Sequence, residues 1–271
     1  MPGLRLSAIS FLNTAPLMWD FEHGNAGRHF EIEYTIPSAC AAALAVNRAD
    51  IGIIPAFTYA QIPGLVIIPD VAIASRDRVR SILLVSKKRI EDVRTVAADT
   101  SSRTSVALLQ VLFAKFFGGP RELQPHPPEL GQMLQNHDGA LLIGDSALQV
   151  PADTGYHLYD LAHLWHEVTG HSFLFAFWAV REDSLDRKPS GLDLANLFRQ
   201  SREHGLQKSS LETIAEEWSP RLQLPESLIQ DYLTENIHYR LDEQTLAGFN
   251  LFLRLSQEIG LIETVPELRF L

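Results

Sequence analysis

The sequence predicts an α/β fold of two lobes hinged around a cleft, and three observations predict it. Short apolar or alternating segments take turns with helical ones from Leu4 to Val85. A second strand–helix set, Thr95 to Val168, interrupts the first before the apolar segment Phe173 to Val180 brings the chain back. After Arg181 the pattern turns wholly helical. An interruption of this kind splits the first lobe in sequence, giving residues 1–84 and 181–271 to one lobe and 85–180 to the other. At 271 residues the chain is also long for a single hydrophobic centre.

Leu4 to Ile9 reads as a strand, followed by the loop Ser10-Phe11-Leu12-Asn13 and a helix opened by Thr14-Ala15-Pro16-Leu17. Asn13 or Thr14 is placed to cap that helix, and proline is tolerated in a first turn because the missing N–H has no partner there. Phe30 to Ile36 alternates apolar and polar residues, as a strand with one wet face does. Pro37-Ser38 starts an Ala-rich helix to Asn47, with Ser38 as its expected cap. Asp50 to Pro55 is a continuous apolar run suited to a sheet buried on both faces. Val66 to Ile68 and Val71 to Ala74 read as two further short strands, and Ser81 to Val85 as the strand carrying the first crossing, near Leu84.

Thr95 to Ala98 is the next strand, and the polar stretch from Asp99, with the loop Ser101 to Ser105, leads into a helix running to about Phe117 and ended by Gly118-Gly119-Pro120. Pro125 to Pro128 is a loop, Glu129 to His137 a short helix, and Ala140 to Ile143 a strand ending in Gly144-Asp145-Ser146. Tyr156 to Tyr159 is extended, Asp160 caps a helix to about Val168, and Phe173 to Val180 carries the return crossing. In the helical tail, Ser209 to Glu212 has the spacing of a capping box, Pro225 sits in a first turn, and Leu246, Phe249 and Leu253 share one face. Two crossings around a cleft, with mixed and mostly parallel sheets, form the layout of type-II periplasmic binding proteins.

Composition narrows the function. The chain has 33 acidic against 23 basic residues and no basic tract, which excludes nucleic acid and anionic membrane as partners. No segment approaches the ~20 apolar residues needed to cross a bilayer. The N-terminal residues show no export signal, so a cytoplasmic location is expected. The one cysteine, Cys40, cannot form an internal disulfide and reads as a small buried residue. Nothing in the sequence sets the oligomeric state.

Four strand-to-helix loops are rich in small polar residues: Ser10 to Thr14, Ser38, Ser101 to Ser105, and Gly144-Asp145-Ser146. The loop before Ser105 is the centre of the pattern, because it packs hydroxyls around a helix N-terminus whose N–H groups lack partners. In open α/β sheets ligands bind beyond the carboxyl ends of strands. Two loops come from each lobe, so they are expected to meet across the cleft, with Ser81 and Ser75 near the hinge. Neutral donors at both ends suit a small molecule carrying two carboxylates. The candidate binding residues are therefore Ser10, Ser38, Ser81, Ser101, Ser102, Arg103, Thr104, Ser105 and Gly144. Arg103 is either a bidentate carboxylate binder or an outward residue on a first helical turn.

His166-Glu167 and His171 superficially resemble a zinc-protease motif, but the histidines are five apart rather than four, with Gly170 between them. No metal site is expected. Trp178 is expected in the core rather than as a stacking platform.

The segments SAISFLNTAPL, PSACAAAL, ADIGIIP, DVAIAS, DTSSRTSVALL, LLIGDSAL and YDLAHLW with TGHSFLFAFWA occur in this order between residues 4 and 181. Together they resemble the chorismate dehydratase family of the futalosine route to menaquinone. The resemblance implies a type-II periplasmic-binding-protein fold used as a cytosolic enzyme. It also implies chorismate as substrate, 3-[(1-carboxyvinyl)oxy]benzoate and water as products, and no cofactor. The chain departs from that family at Asp77-Arg78, where Gly-Pro is usual, at Ala162 for a glycine, and at His171-Ser172 for Leu-Pro. Within this reading Asn13 is the leading catalytic candidate, since an amide can both donate to and accept from a leaving hydroxyl. The proton goes either to the substrate's own enolpyruvyl carboxylate or to Asp145. Two other readings share the fold: a solute-binding protein, and the sister enzyme dihydroxynaphthoate synthase. The absent export signal argues against the first. SFLNTAPL and the lack of a histidine in these loops argue against the second.

Overall fold

The computed structural model describes residues 3–271; residues 1 and 2 of the expected first lobe lie outside the described residues. The chain opens with β1 (Leu4–Ile9), a 3-10 turn (Leu12–Thr14), α1 (Ala15–Glu22), β2 (Phe30–Thr35), α2 (Pro37–Ala45), β3 (Ile51–Pro55) and β4 (Leu65–Ser75). The central set is β5 (Ile82–Ser86), β6 (Thr95–Ala98), α3 (Arg103–Phe116), β7 (Glu122–Pro125), α4 (Leu130–Asn136), β8 (Gly139–Ile143), α5 (Asp145–Leu148), β9 (His157–Asp160) and α6 (Leu161–Thr169). β10 (Phe173–Arg181) follows. The tail holds α7 (Leu194–Gly205), α8 (Lys208–Leu222), α9 (Glu226–Asp231), a π-type turn (Tyr232–Asn236) and α10 (Glu243–Glu258).

Two five-stranded sheets result, ordered β2-β1-β3-β10-β4 and β7-β6-β8-β5-β9. Each contains two parallel and two antiparallel pairings, so the sheets are evenly mixed rather than mostly parallel. The cause is the same in both. β10 and β5 are the strands that have just crossed between the lobes, and each inserts antiparallel to both of its neighbours. β5 belongs entirely to the second sheet, so the first crossing precedes Ile82; β10 belongs entirely to the first, so the second precedes Phe173. We propose the lobe boundaries at these two connections.

Other expectations shift for local reasons. The two strands expected around Pro69-Asp70 are one strand, β4, whose pairing with β10 shifts register and whose Asp70 takes φ +65°. β7 was not expected, because Glu122-Leu123-Gln124-Pro125 offers one apolar residue to an edge position. Thr14 takes the N-cap position of α1 without a side-chain capping bond, Ser38 lies inside α2 instead of capping it, and Ser209 lies inside α8. The capping box of the tail is Asp242 with Thr245, opening α10. Asp160 does cap α6, accepting from the Ala162 and His163 N–H groups. Gly170 ends that helix in the left-handed conformation, separating His166 from His171.

The main core runs continuously through the first sheet, the tail helices and one face of the second sheet. Trp178 is fully buried and its ring lies 4.7 Å from that of Phe198 on α7. α7 approaches α1 so closely that a Cβ at Gly205 would stand 2.0 Å from the Pro16 carbonyl oxygen. That contact fixes the helix that follows the Asn13 turn. A smaller cluster, including Met133 and Leu142, covers the other face of the second sheet beneath α4. Cys40 is buried, its thiol donating to the Ser7 carbonyl. Among the described residues no helix is long and apolar enough to cross a membrane.

Candidate active site

Asn13 owes its position to the residues on either side. Leu12 and Thr14 are buried and anchor the 3-10 turn, which leaves the Asn13 side chain facing the space between the lobes. The Thr14 hydroxyl donates to Asn13 Oδ1 at 3.3 Å, so one acceptor of the amide is already engaged. Across the cleft, Asp99 Oδ1 accepts the Ser101 N–H at 2.9 Å and shapes the loop before α3. Ser102 caps α3, accepting from the Ser105 N–H, and this cap faces the same space as Asn13. Ser81 enters from the hinge, where its carbonyl accepts the Gly144 N–H at 2.7 Å.

Asn13, Ser81 and Ser102 share a partly open cavity of about 40 Å³. Asn13, Ser81 and Ser102 are its polar side chains, and Ile9, Pro55, Ile143 and Phe175 contribute to its apolar walls. None of the described residues lining it is titratable. The α3 N-terminus adds partial positive charge at the Ser102 end. The cavity thus meets a ligand with uncharged donors and a helix dipole.

The remaining candidates fall elsewhere. Ser38 and Ser101 line an adjoining groove, where the Ser38 N–H donates to the Ser101 carbonyl at 2.8 Å and joins the two lobes. Ser10 and Asp145 line a second groove on the other side. Arg103 is exposed, bonded to Gln61 Oε1 at 3.0 Å, so it takes the outward orientation. Thr104 is fully buried and its hydroxyl accepts the Phe57 N–H at 3.0 Å. Ser105 is buried against Ser102. Successive helical residues turn by about 100°, which is why only the cap of this hydroxyl run reaches the cavity.

Two residues that the sequence reading did not single out matter here. Phe11 borders the cavity and both grooves, and its ring lies on Gly144, where a Cβ would come within 2.8 Å of it. Tyr232, fully buried in the π-type turn of the tail, donates its hydroxyl to Ser81 Oγ at 2.9 Å. Neither carries a local motif.

Burial pushes the Asp145 carboxyl up to about 6, opposed only by the hydrogen bond it accepts from the Leu12 N–H. Burial likewise raises Asp99, and it raises Tyr232 well above the usual phenol value, so that hydroxyl keeps its proton. The departures at 77 and 78 are taken up outside the cavity, where Asp77 and Arg78 both meet His163 on α6.

Solved structures of similar fold include protein AF1704 of Archaeoglobus fulgidus, with TM-score 0.70 and 16% identity, covering 96% of this chain and 98% of that one. The alkanesulfonate-binding protein SsuA of Xanthomonas axonopodis pv. citri, bound to MOPS, gives TM-score 0.69 and 15% identity, covering 98% and 95%. These likenesses establish the periplasmic-binding-protein fold. In sequence the chain is 30% identical over 260 residues to a chorismate dehydratase of Thermus thermophilus, covering 89% of this chain and 91% of its relative. The model of the family described as menaquinone biosynthesis matches residues 4–258. With nearly its whole length matched, this chain belongs to the menaquinone biosynthesis family.

Proposed function

We propose that this protein is a chorismate dehydratase, a carbon–oxygen lyase that removes water from chorismate to give 3-[(1-carboxyvinyl)oxy]benzoate. The observation that carries the reading is the partly open cavity that Asn13, Ser81 and Ser102 line together, with no titratable side chain among the described lining residues. The family membership and the activity named for the Thermus relative support the same substrate. A biosynthetic role supports a cytoplasmic location.

Chorismate is a dianion. The reaction breaks the bond from the ring to its hydroxyl and removes the proton from the neighbouring ring carbon, the one bearing the ether. The ring becomes aromatic, so the chemistry runs downhill and the protein's task is positioning. Hydroxyl and amide donors together with the α3 N-terminus fix the carboxylates. Asn13 holds the leaving hydroxyl, donating to it as charge develops on oxygen. The substrate's enolpyruvyl carboxylate takes the ring proton and passes it to the departing hydroxide, which leaves as water. Asp145, the other candidate acceptor, faces the outer groove and is engaged by Leu12, which favours the substrate-assisted route. Ser38 and Ser101 act at the groove where the lobes close, and Ser10, Arg103, Thr104 and Ser105 support the loops around the bound anion.

Incubating the purified protein with chorismate tests the assignment. Formation of the aromatic enol ether is the expected result; tight binding of chorismate without turnover would make the protein a binder instead.

A further inference from the structure

One residue of the tail, Tyr232, bonds to a side chain of the cavity from behind, and that contact sets the direction of its hydrogen bonds. Tyr232 lies 151 residues beyond Ser81 in sequence, yet its hydroxyl ends 2.9 Å from Ser81 Oγ inside the core. It sits in a π-type turn, a distortion that helices commonly carry at functional sites. A phenol has one proton, and Tyr232 gives it to Ser81. Ser81 Oγ therefore acts as acceptor on its core side, and its own proton has no protein acceptor among the described contacts. The side of that hydroxyl left open is the cavity. Asn13 is constrained in the same sense. Its Oδ1 accepts from Thr14, so its amide N–H groups are left for the cavity.

We propose that Tyr232 is a positioning residue: by donating to Ser81 it turns the serine proton into the cavity, so that Ser81 and Asn13 both meet the substrate as donors. This rests on the dehydratase reading above. Without Tyr232 the Ser81 hydroxyl is free to rotate and to point its proton at the core, where it no longer stabilises developing negative charge on the substrate. The effect belongs to the transition state more than to binding, because charge on the leaving oxygen grows along the reaction. Tyr232 itself lies behind Ser81, outside the cavity wall.

A double-mutant cycle with chorismate tests this. Tyr232→Phe keeps the ring and removes the proton; kcat should fall by roughly 10- to 100-fold, the scale of a misdirected transition-state hydrogen bond, while KM moves by less than about threefold. In a Ser81→Ala background the same change should cost less than about twofold, because the residue through which Tyr232 acts is gone. Replacing Tyr232 by 4-aminophenylalanine, which returns an N–H donor to the same place, should restore most of the lost rate. If Tyr232→Phe fails to fold, 4-fluorophenylalanine at 232 takes its place in the cycle, filling the volume of the hydroxyl without a proton to give. Equal losses in both backgrounds, or no rescue by the amino analogue, would assign Tyr232 to packing alone and overturn the proposal. A wild-type protein inert toward chorismate would instead remove the dehydratase reading, and this one with it.

Discussion

The Asp145 carboxylate of the second lobe accepts the Leu12 N–H of the first at 3.1 Å, one residue from Asn13. It is the side-chain counterpart of the backbone contact between Ser38 and Ser101, and both join loops that lie on opposite lobes. The lobes are thereby held closed over the cavity, with Phe11 between them against Gly144.

The charge on that latch predicts a pH signature. The Asp145 carboxyl titrates at about 6 in the folded chain, against an ordinary value of 3.8. The folded state therefore keeps a proton that the unfolded state has lost, and this group's contribution to stability declines as pH rises from about 4 to about 6. Its full size is about 1–3 kcal/mol. Asp145→Asn removes the buried charge while its amide oxygen still accepts from Leu12. Urea unfolding should show the variant gaining on the wild type between pH 4 and 6 and holding a constant advantage above pH 6.5. A difference that does not change with pH contradicts the buried-carboxylate account. The same variant reports on the proton: on the substrate-assisted route it keeps most of its activity, and loss of turnover with binding preserved makes Asp145 the base.

Gly144→Ala should disable closure more than folding. The residue has φ +65°, and its new Cβ would meet the Phe11 ring at 2.8 Å. With ψ −136° the residue lies in a positive-φ extended region that side chains rarely enter, so backbone strain alone is about 1–3 kcal/mol, and the clash is relieved when the lobes part. Steady-state kinetics should show KM raised at least about tenfold, the equivalent of ~1.4 kcal/mol in affinity. An unchanged KM would mean that the closed arrangement is not the one that holds substrate.

Asp50 supplies a stability prediction remote from the chemistry. Its buried carboxylate pairs with Arg5 at 2.7 Å and with Arg187, and accepts from Ser184 at 3.0 Å. Burial raises its pKa, but the Arg5, Arg187 and Ser184 hydrogen bonds outweigh that and hold it below the ordinary 3.8. The stability it contributes is present above pH 4 and is lost as pH falls further. Asp50→Asn leaves two arginines short of their counter-charge and should destabilise by about 3 kcal/mol at pH 7. Chemical denaturation measures it, and the penalty should shrink toward pH 3 while turnover of the folded fraction stays near wild type.

Much of this architecture was legible in the residues themselves. Apolar runs such as Phe173–Val180 marked the crossing strands, and a polar stretch before an apolar run marked the helix N-terminus at the cavity. Parallel pairing was over-expected because a sequence shows that a strand is buried, not which way its neighbours run; β5 and β10 insert antiparallel for topological reasons. Within the hydroxyl run Ser101 to Ser105, composition cannot say which residue faces a ligand, since that depends on where the helix begins. It begins at Arg103, which turns Thr104 and Ser105 into the core. Tyr232 was illegible for another reason. It carries no motif, and only the folded tail brings it to Ser81.

The central claim is that neutral donors, led by Asn13, carry the elimination in the cavity between the lobes. The measurement that meets it most directly is the kcat of Asn13→Ala with chorismate, taken beside a thermal melt of the same sample. The account predicts a fall of about 10²–10³-fold, the scale of losing one oriented donor to a developing oxyanion, with the melting temperature nearly unchanged. A folded Asn13→Ala protein that turns over chorismate within about threefold of the wild type, far short of that scale, would contradict it.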